Sequence, residues 1–172
     1  MTAFIGAACI IFAGARLGAI AADALSRRLR QLGALQSGLE ALRTEIRFSA
    51  TPLPAALARA AVAAGGEIGA MFRAWGRNLG GASALSPAEA LAAALLQRPA
   101  PLNLKDEDLA PLRDLSGYLG ASDQADQERH LQTAVKHLSD RAAEAAALQL
   151  RHGKLYRYLG VLAAVAIVII CL

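Results

Sequence analysis

Aromatic side chains are scarce in this chain: they make up 5% of its 172 residues, although 55% of the sequence is hydrophobic. The apolar excess is mostly Ala and Leu, both strong helix formers, and β-branched residues are rare outside the last stretch. That balance excludes a sheet-based fold and predicts an all-α protein. There are two cysteines, Cys9 and Cys171, one in each apolar end. Their number and spacing exclude a disulfide or zinc framework. The sequence contains no Gly-rich phosphate loop and no Ser-centred nucleophile elbow. No proline follows Pro111, so nothing breaks a helix in the last third of the chain. Long apolar runs are also missing. Thr2 to Ala15 and Tyr158 to Leu172 carry no charged side chain, but each is only about fifteen residues, roughly 22 Å as a helix, against the ~20 residues of an ordinary membrane span.

The formal net charge is +4, which by itself suggests a nucleic-acid partner. Its distribution argues against one. Arg16, Arg27, Arg28 and Arg30 follow the first apolar stretch, and Arg151, Lys154 and Arg157 precede the last. The remaining 11 basic residues face 14 acidic ones. Basic flanks on the inner side of two apolar ends are the positive-inside pattern. We therefore expect an anchor over 1–22, a cytosolic helical bundle over 23–157 and a second anchor over 158–172. Short spans of this kind need snorkelling, bilayer thinning or partner helices, and Tyr156 and Arg157 fall where an interface anchor belongs. The contrasting expectation is a secreted, tail-anchored helical binding module whose first segment is cleaved. A signal peptide, however, would carry its positive charge before the apolar run and not after it.

Between the ends, spacing and punctuation predict about six helices. Leu29, Leu32, Leu35, Leu39, Leu42 and Ile46 recur at steps of three or four. That helix ends before Ser49-Ala50-Thr51-Pro52, where Thr51 is expected to cap a new helix with Pro52 at its first position and Pro54 in its first turn. Gly65-Gly66 ends it. A helix over 68–79 follows, with Met71, Phe72 and Trp75 as its buried face. Ser86-Pro87-Ala88-Glu89 is a capping box. Asp106, Glu107 and Asp108 open the next helix and favour its dipole. As a metal site they lack further ligands at suitable spacing. Gly120 is expected to end that helix, and Ser122 or Asp123 to cap the last one. Leu131, Val135, Leu138, Ala142 and Ala145 then form the seam of a helix that runs unbroken to the C-terminus. His130 and His137 lie seven apart on it without an evident third ligand. Capping explains Ser122 and Asp123 more simply than a catalytic set with His130 does. No catalytic residue, cofactor site or metal site is assigned.

Three stretches together resemble one family. The first is Leu42-Arg43-Thr44-Glu45-Ile46-Arg47-Phe48-Ser49-Ala50-Thr51-Pro52-Leu53-Pro54-Ala55-Ala56-Leu57. The second is Leu119-Gly120-Ala121-Ser122-Asp123, followed by Gln127-Glu128-Arg129-His130-Leu131. The third is Lys154-Leu155-Tyr156-Arg157-Tyr158-Leu159-Gly160-Val161-Leu162. In register and over the whole length, the chain resembles the stage III sporulation protein AB family of spore-forming bacteria, with Phe48 where that family often has Tyr. The resemblance implies a non-enzymatic platform component of the mother cell–forespore channel. It implies a cytosolic bundle like that of type II secretion and pilus platform proteins of the F family. The implied partners are the stage III sporulation protein AA-type ATPase, other subunits of the same complex, the mother-cell membrane and, for a homo-oligomer, further copies of the chain. On this likeness Glu45, Thr51, Pro52, Pro54, Gly120, Ser122, Asp123, Gln127, Tyr156, Arg157 and Gly160 are the structural or interaction candidates. A platform-like subunit of a secretion or pilus system outside sporulation is the alternative. Such platforms usually carry two copies of the domain and more membrane helices.

Overall fold

The leucine repeat does form a helix, and it joins the apolar start of the chain without a break, as α1, Thr2–Phe48. In the computed structural model the backbone is described for residues 2–48, 51–81, 85–97, 102–120 and 123–171, and side chains are not described for most of 1–17 and of 152–172. Five further helices follow: α2 (Leu53–Ala64), α3 (Gly66–Leu79), α4 (Pro87–Leu96), α5 (Asp106–Ser116) and α6 (Gln124–Cys171). Among the described residues all regular structure is helical.

The chain divides into two compact units, 30–142 and a second made of 1–29 with 143–172. In the first, Leu32, Leu35, Leu39 and Leu42 of α1 are fully buried, as their spacing predicts, and Met71, Phe72 and Trp75 of α3 join them. The Phe72 and Trp75 rings stack at 6.1 Å, and the Trp75 indole N–H donates to the Pro87 carbonyl at 2.9 Å. One aromatic pair thus fills much of the volume that an Ala/Leu-rich core leaves open. Small residues let backbones close in around it. A side chain at Gly38 would run into the Phe72 ring, and one at Gly69 would strike the Ala61 carbonyl oxygen. Buried Gln31 on α1 donates to the Glu67 carboxylate on α3 and accepts the Asn103 backbone N–H at 2.8 Å. Its burial therefore leaves no polar atom wanting, as a buried amide requires.

Boundaries differ from expectation in α2, α3 and α5, with α3 starting at Gly66 and not at Ile68. α2 starts at Leu53, one residue later than expected, with Pro52 as its N-cap and no side-chain cap. α5 ends at Ser116 and not at Gly120. The Tyr118 N–H there bonds back to the Leu115 carbonyl at 3.0 Å, and a turn leads to Gly120 at φ 75°, a left-handed conformation that favours glycine. On α6, Ala134 is buried with Leu131 and Leu138, while Val135 is half-buried.

In the second unit the Gln149 amide donates to the Ser26 hydroxyl at 3.1 Å, joining the two ends of the chain. Arg28, expected to be a solvated membrane flank, is buried at 6% exposure. The terminal spans expected at 1–22 and 158–172 fall largely on side chains outside the described residues; among the described residues no helix is long and apolar enough to cross a membrane.

Candidate functional site

The first two candidate stretches meet at one corner of the 30–142 unit, where α1 ends and α2 and α6 begin. Glu45, in the last turn of α1 and 12% exposed at its side chain, is the centre of this corner. Its carboxylate accepts the Thr51 hydroxyl at 3.1 Å and both oxygens take the Arg59 guanidinium of α2, at 2.7 and 2.8 Å. Thr51 therefore does not cap α2, because its hydroxyl is turned back to α1. A carboxylate held on two sides is strongly oriented, so this one side chain sets the angle of the turn between α1 and α2. Pro52 and Pro54 stiffen the same turn, and a Cβ on Gly76 of α3 would lie 3.1 Å from the Pro54 carbonyl oxygen.

The start of α6 closes the corner from the other side. The Gln124 amide donates to the Ile46 and Arg47 carbonyls at 2.7 and 2.9 Å, satisfying acceptors that a helix end otherwise leaves open. Arg47 pairs with Glu128 at 3.2 Å and lies 5.1 Å over the ring of Phe48, which is 73% exposed. Asp123 caps α6, accepting the Asp126 N–H at 2.8 Å. The Gln127 N–H bonds to the Asp123 carbonyl. Glu45, Thr51, Pro52, Pro54, Asp123 and Gln127 thus belong to three helix ends that converge. Gly120 forms the turn before α6, and Ser122 lies outside the described residues. Tyr156, Arg157 and Gly160 fall in α6, with their side chains outside the described residues. Arg59 and Gln124 are not among the sequence candidates, and Glu128 is present there only within the second motif. Their partners lie 14 to 81 residues away in sequence, and no local pattern announces such pairs.

The other candidates are accounted for as structure. Asp108 is fully buried and accepts the Lys105 N–H at 2.9 Å, Asp106 pairs with Arg113 at 3.1 Å and Glu107 with Arg141 at 3.2 Å. The three acids thus have separate partners. Among the described residues no group of three or more His, Cys, Asp or Glu side chains could hold a metal. His130 stacks on Tyr118, centroids 3.7 Å apart and 10° from parallel, on the rim of a cavity of about 530 Å³ that His137 also lines. Ser86 and Glu89 form the expected capping box. The Ser86 N–H and hydroxyl both donate to the Glu89 carboxylate, at 2.9 and 2.7 Å, and hold its pKa below the ordinary glutamate value.

What this geometry offers is a set of braced helix ends and exposed helix faces. The chain is 28% identical over 170 residues to "Stage III sporulation protein AB" of Bacillus subtilis (strain 168), covering 99% of both chains. A solved structure described as "Stage III sporulation protein AB (SpoIIIAB)" matches with a TM-score of 0.65 and 27% identity, over 73% of this chain and 98% of that one. The family model described as "Stage III sporulation protein AB" matches residues 3–172. The chain belongs to the stage III sporulation protein AB family, a family of sporulation proteins.

Proposed function

We propose that this protein is a non-enzymatic assembly component of the secretion-like channel between mother cell and forespore. In this reading the bundle over 30–142 is presented to a secretion-type ATPase of the stage III sporulation protein AA kind and to neighbouring subunits of the complex. The observation that carries the proposal is the family match over nearly the whole chain, and the polar corner around Glu45 supports it. There, charged and hydroxyl side chains brace helix ends, an arrangement suited to holding a surface in shape.

The two chain ends are proposed to hold the bundle at the mother-cell membrane facing the forespore, with the basic residues on the cytosolic side. Their uncharged stretches are short, so partner helices in the complex are expected to complete the anchoring. α6 runs unbroken from Gln124 to Cys171, which makes it the element through which strain in the bundle would reach the bilayer.

The test is deletion of the gene in its host, with microscopy of forespores after engulfment. Small or collapsed forespores, rescued by the full chain but not by one lacking 158–172, support both the channel role and the second anchor. Normal spores at normal yield remove the channel role and redirect the search to a secretion or pilus defect. A flexible glycine linker inserted near His152 tests coupling separately: full function with the linker removes the rigid-helix idea.

A further inference from the structure

The outward face of α2 is unusual for a surface helix. It consists of Ala55, Ala58, Arg59, Val62 and Ala63, and Val62 is 81% exposed. A helix face in water ordinarily carries charged and polar residues, whereas this one has a single charge, already held by Glu45. Beside it, α3 turns Arg73 and Arg77 outward. They are four residues apart and therefore on one side of the helix. Pro54, Ala58 and Gly76 complete, with these two arginines, a shallow depression of about 260 Å³. Other arginines of the same unit have carboxylate partners, Arg43 with Glu40 and Arg113 with Asp106 among them. Among the described residues Arg73 and Arg77 have none.

We propose that this shelf between α2 and α3 docks an acidic amphipathic helix of a partner protein. Two arginines one helical turn apart, about 6 Å along the axis, match two carboxylates one turn apart on a facing helix. The guanidinium fork is suited to binding carboxylates in pairs. The floor of Ala58, Gly76 and the Pro54 ring carries no long side chain, so the incoming backbone approaches closely and one apolar residue of the partner fills the depression. A lipid surface fits less well. Faces that enter a bilayer carry large apolar side chains such as Trp, Phe and Leu, and here the floor is made of the smallest ones. A second copy of this chain also fits less well. Its own exposed acids are largely committed, Asp126 to Arg129 and Glu128 to Arg47. Among the described residues it presents no free pair one turn apart, since Glu144, one turn after Asp140, is itself engaged.

The inference rests on the assembly-component reading for the existence of a partner, but its test does not. The probe is a fluorescent alanine-rich helical peptide with one leucine flanked by two glutamates at i and i+4, together with its glutamine and lysine counterparts. Each is titrated by anisotropy against the full chain in detergent. The glutamate peptide is expected to bind about tenfold or more tightly than the lysine peptide at low salt, with the difference shrinking as salt rises. R73E/R77E is expected to invert the order in favour of the lysine peptide. Circular dichroism of R73E/R77E verifies the fold, which these exposed positions leave intact.

Equal binding of glutamate and lysine peptides overturns the proposal, as does binding that R73E/R77E leaves unchanged. Loss of binding to phosphatidylglycerol vesicles in R73E/R77E, without the inversion between peptides, assigns the face to lipid and also overturns it. So does a concentration-dependent dimer that Val62→Asp abolishes. Failure here alongside collapsed forespores in the deletion strain refutes the docking shelf alone. Normal forespores alongside the peptide inversion refute the channel role alone.

Discussion

The α2–α3 pair and the α4–α5 pair each set a short Ala-rich helix against a more polar one, and pack the two differently. Between α2 and α3 the turn is made at Gly65 and Gly66, both at positive φ, and Gly69 and Gly76 face the Ala61 and Pro54 carbonyls. No side chain separates the two backbones there, and only the shallow depression of about 260 Å³ is left beside them. Between α4 and α5 the contacts are leucines. Leu91, Leu95, Leu102 and Leu109 line a cleft of about 580 Å³ with the Asp106–Arg113 ion pair on its wall, and Leu96 is 86% exposed. The difference shows that glycine, more than apolar content, determines how closely helices approach in this core. A large side chain fills space only if its neighbours interlock with it.

The strongest attack on the tight side is Trp75→Ala. It empties the largest fully buried side chain and removes its bond to Pro87. A loss of about 3–5 kcal/mol is expected, seen in thermal unfolding as a fall in Tm of roughly 10 °C or more. Gly69→Ala asks directly whether backbone contact is the limit. Alanine should gain up to ~1 kcal/mol in helix propensity, yet the clash with the Ala61 carbonyl is expected to cost about 1–3 kcal/mol. A stabilised variant would mean that α2 and α3 have room to part, and the contrast between the two pairs would fail.

Glu45→Gln tests the corner that holds the tight side in place. It removes a charge shared by Thr51 and Arg59, and about 1–2 kcal/mol is expected. Faster hydrogen exchange at the start of α2 than at the start of α4 is the signature. On the loose side, Leu96→Ser is expected to change stability by less than about 0.5 kcal/mol; a larger loss would show that the cleft is better packed than its volume implies.

The smallest effect concerns pH. Glu89 has its pKa depressed by the two Ser86 donors, so its contribution to the α4 N-terminus is complete above the unfolded-state value and is lost as pH falls through the folded-state value. An NMR titration should place the Glu89 midpoint below that of a free glutamate, and Ser86→Ala should return it upward.

Much of this was legible in the sequence, for a specific reason. The helices of the 30–142 unit are punctuated locally, by Gly65-Gly66, by the Ser86–Glu89 box and by the break at Ser49 to Pro52, and the spacing of α1 named Leu32, Leu35, Leu39 and Leu42 correctly, while Leu29 and Ile46 at the ends of the same stripe are only half-buried. The motif residues Glu45 and Thr51 were also picked out, though for the wrong task in the case of Thr51. A β-region threonine before proline looks like a cap, and only the nearby Glu45 carboxylate turns its hydroxyl the other way. The end of α5 was misplaced by a few residues because a glycine at positive φ marks where a turn finishes, not where the helix before it stops.

Composition and spacing by themselves determined the helical class, most of the helix boundaries and the buried leucines and aromatics of α1 and α3, because helix propensity, capping and a 3.6-residue period act over a few neighbouring residues. Only the tertiary structure decided that Gln124 would close the end of α1, that Arg28 and Asp108 would be buried, and that Arg73 and Arg77 would lack the carboxylates their neighbours have. Those outcomes depend on side chains far apart in the chain, and their pairing energies exist only once the helices have packed.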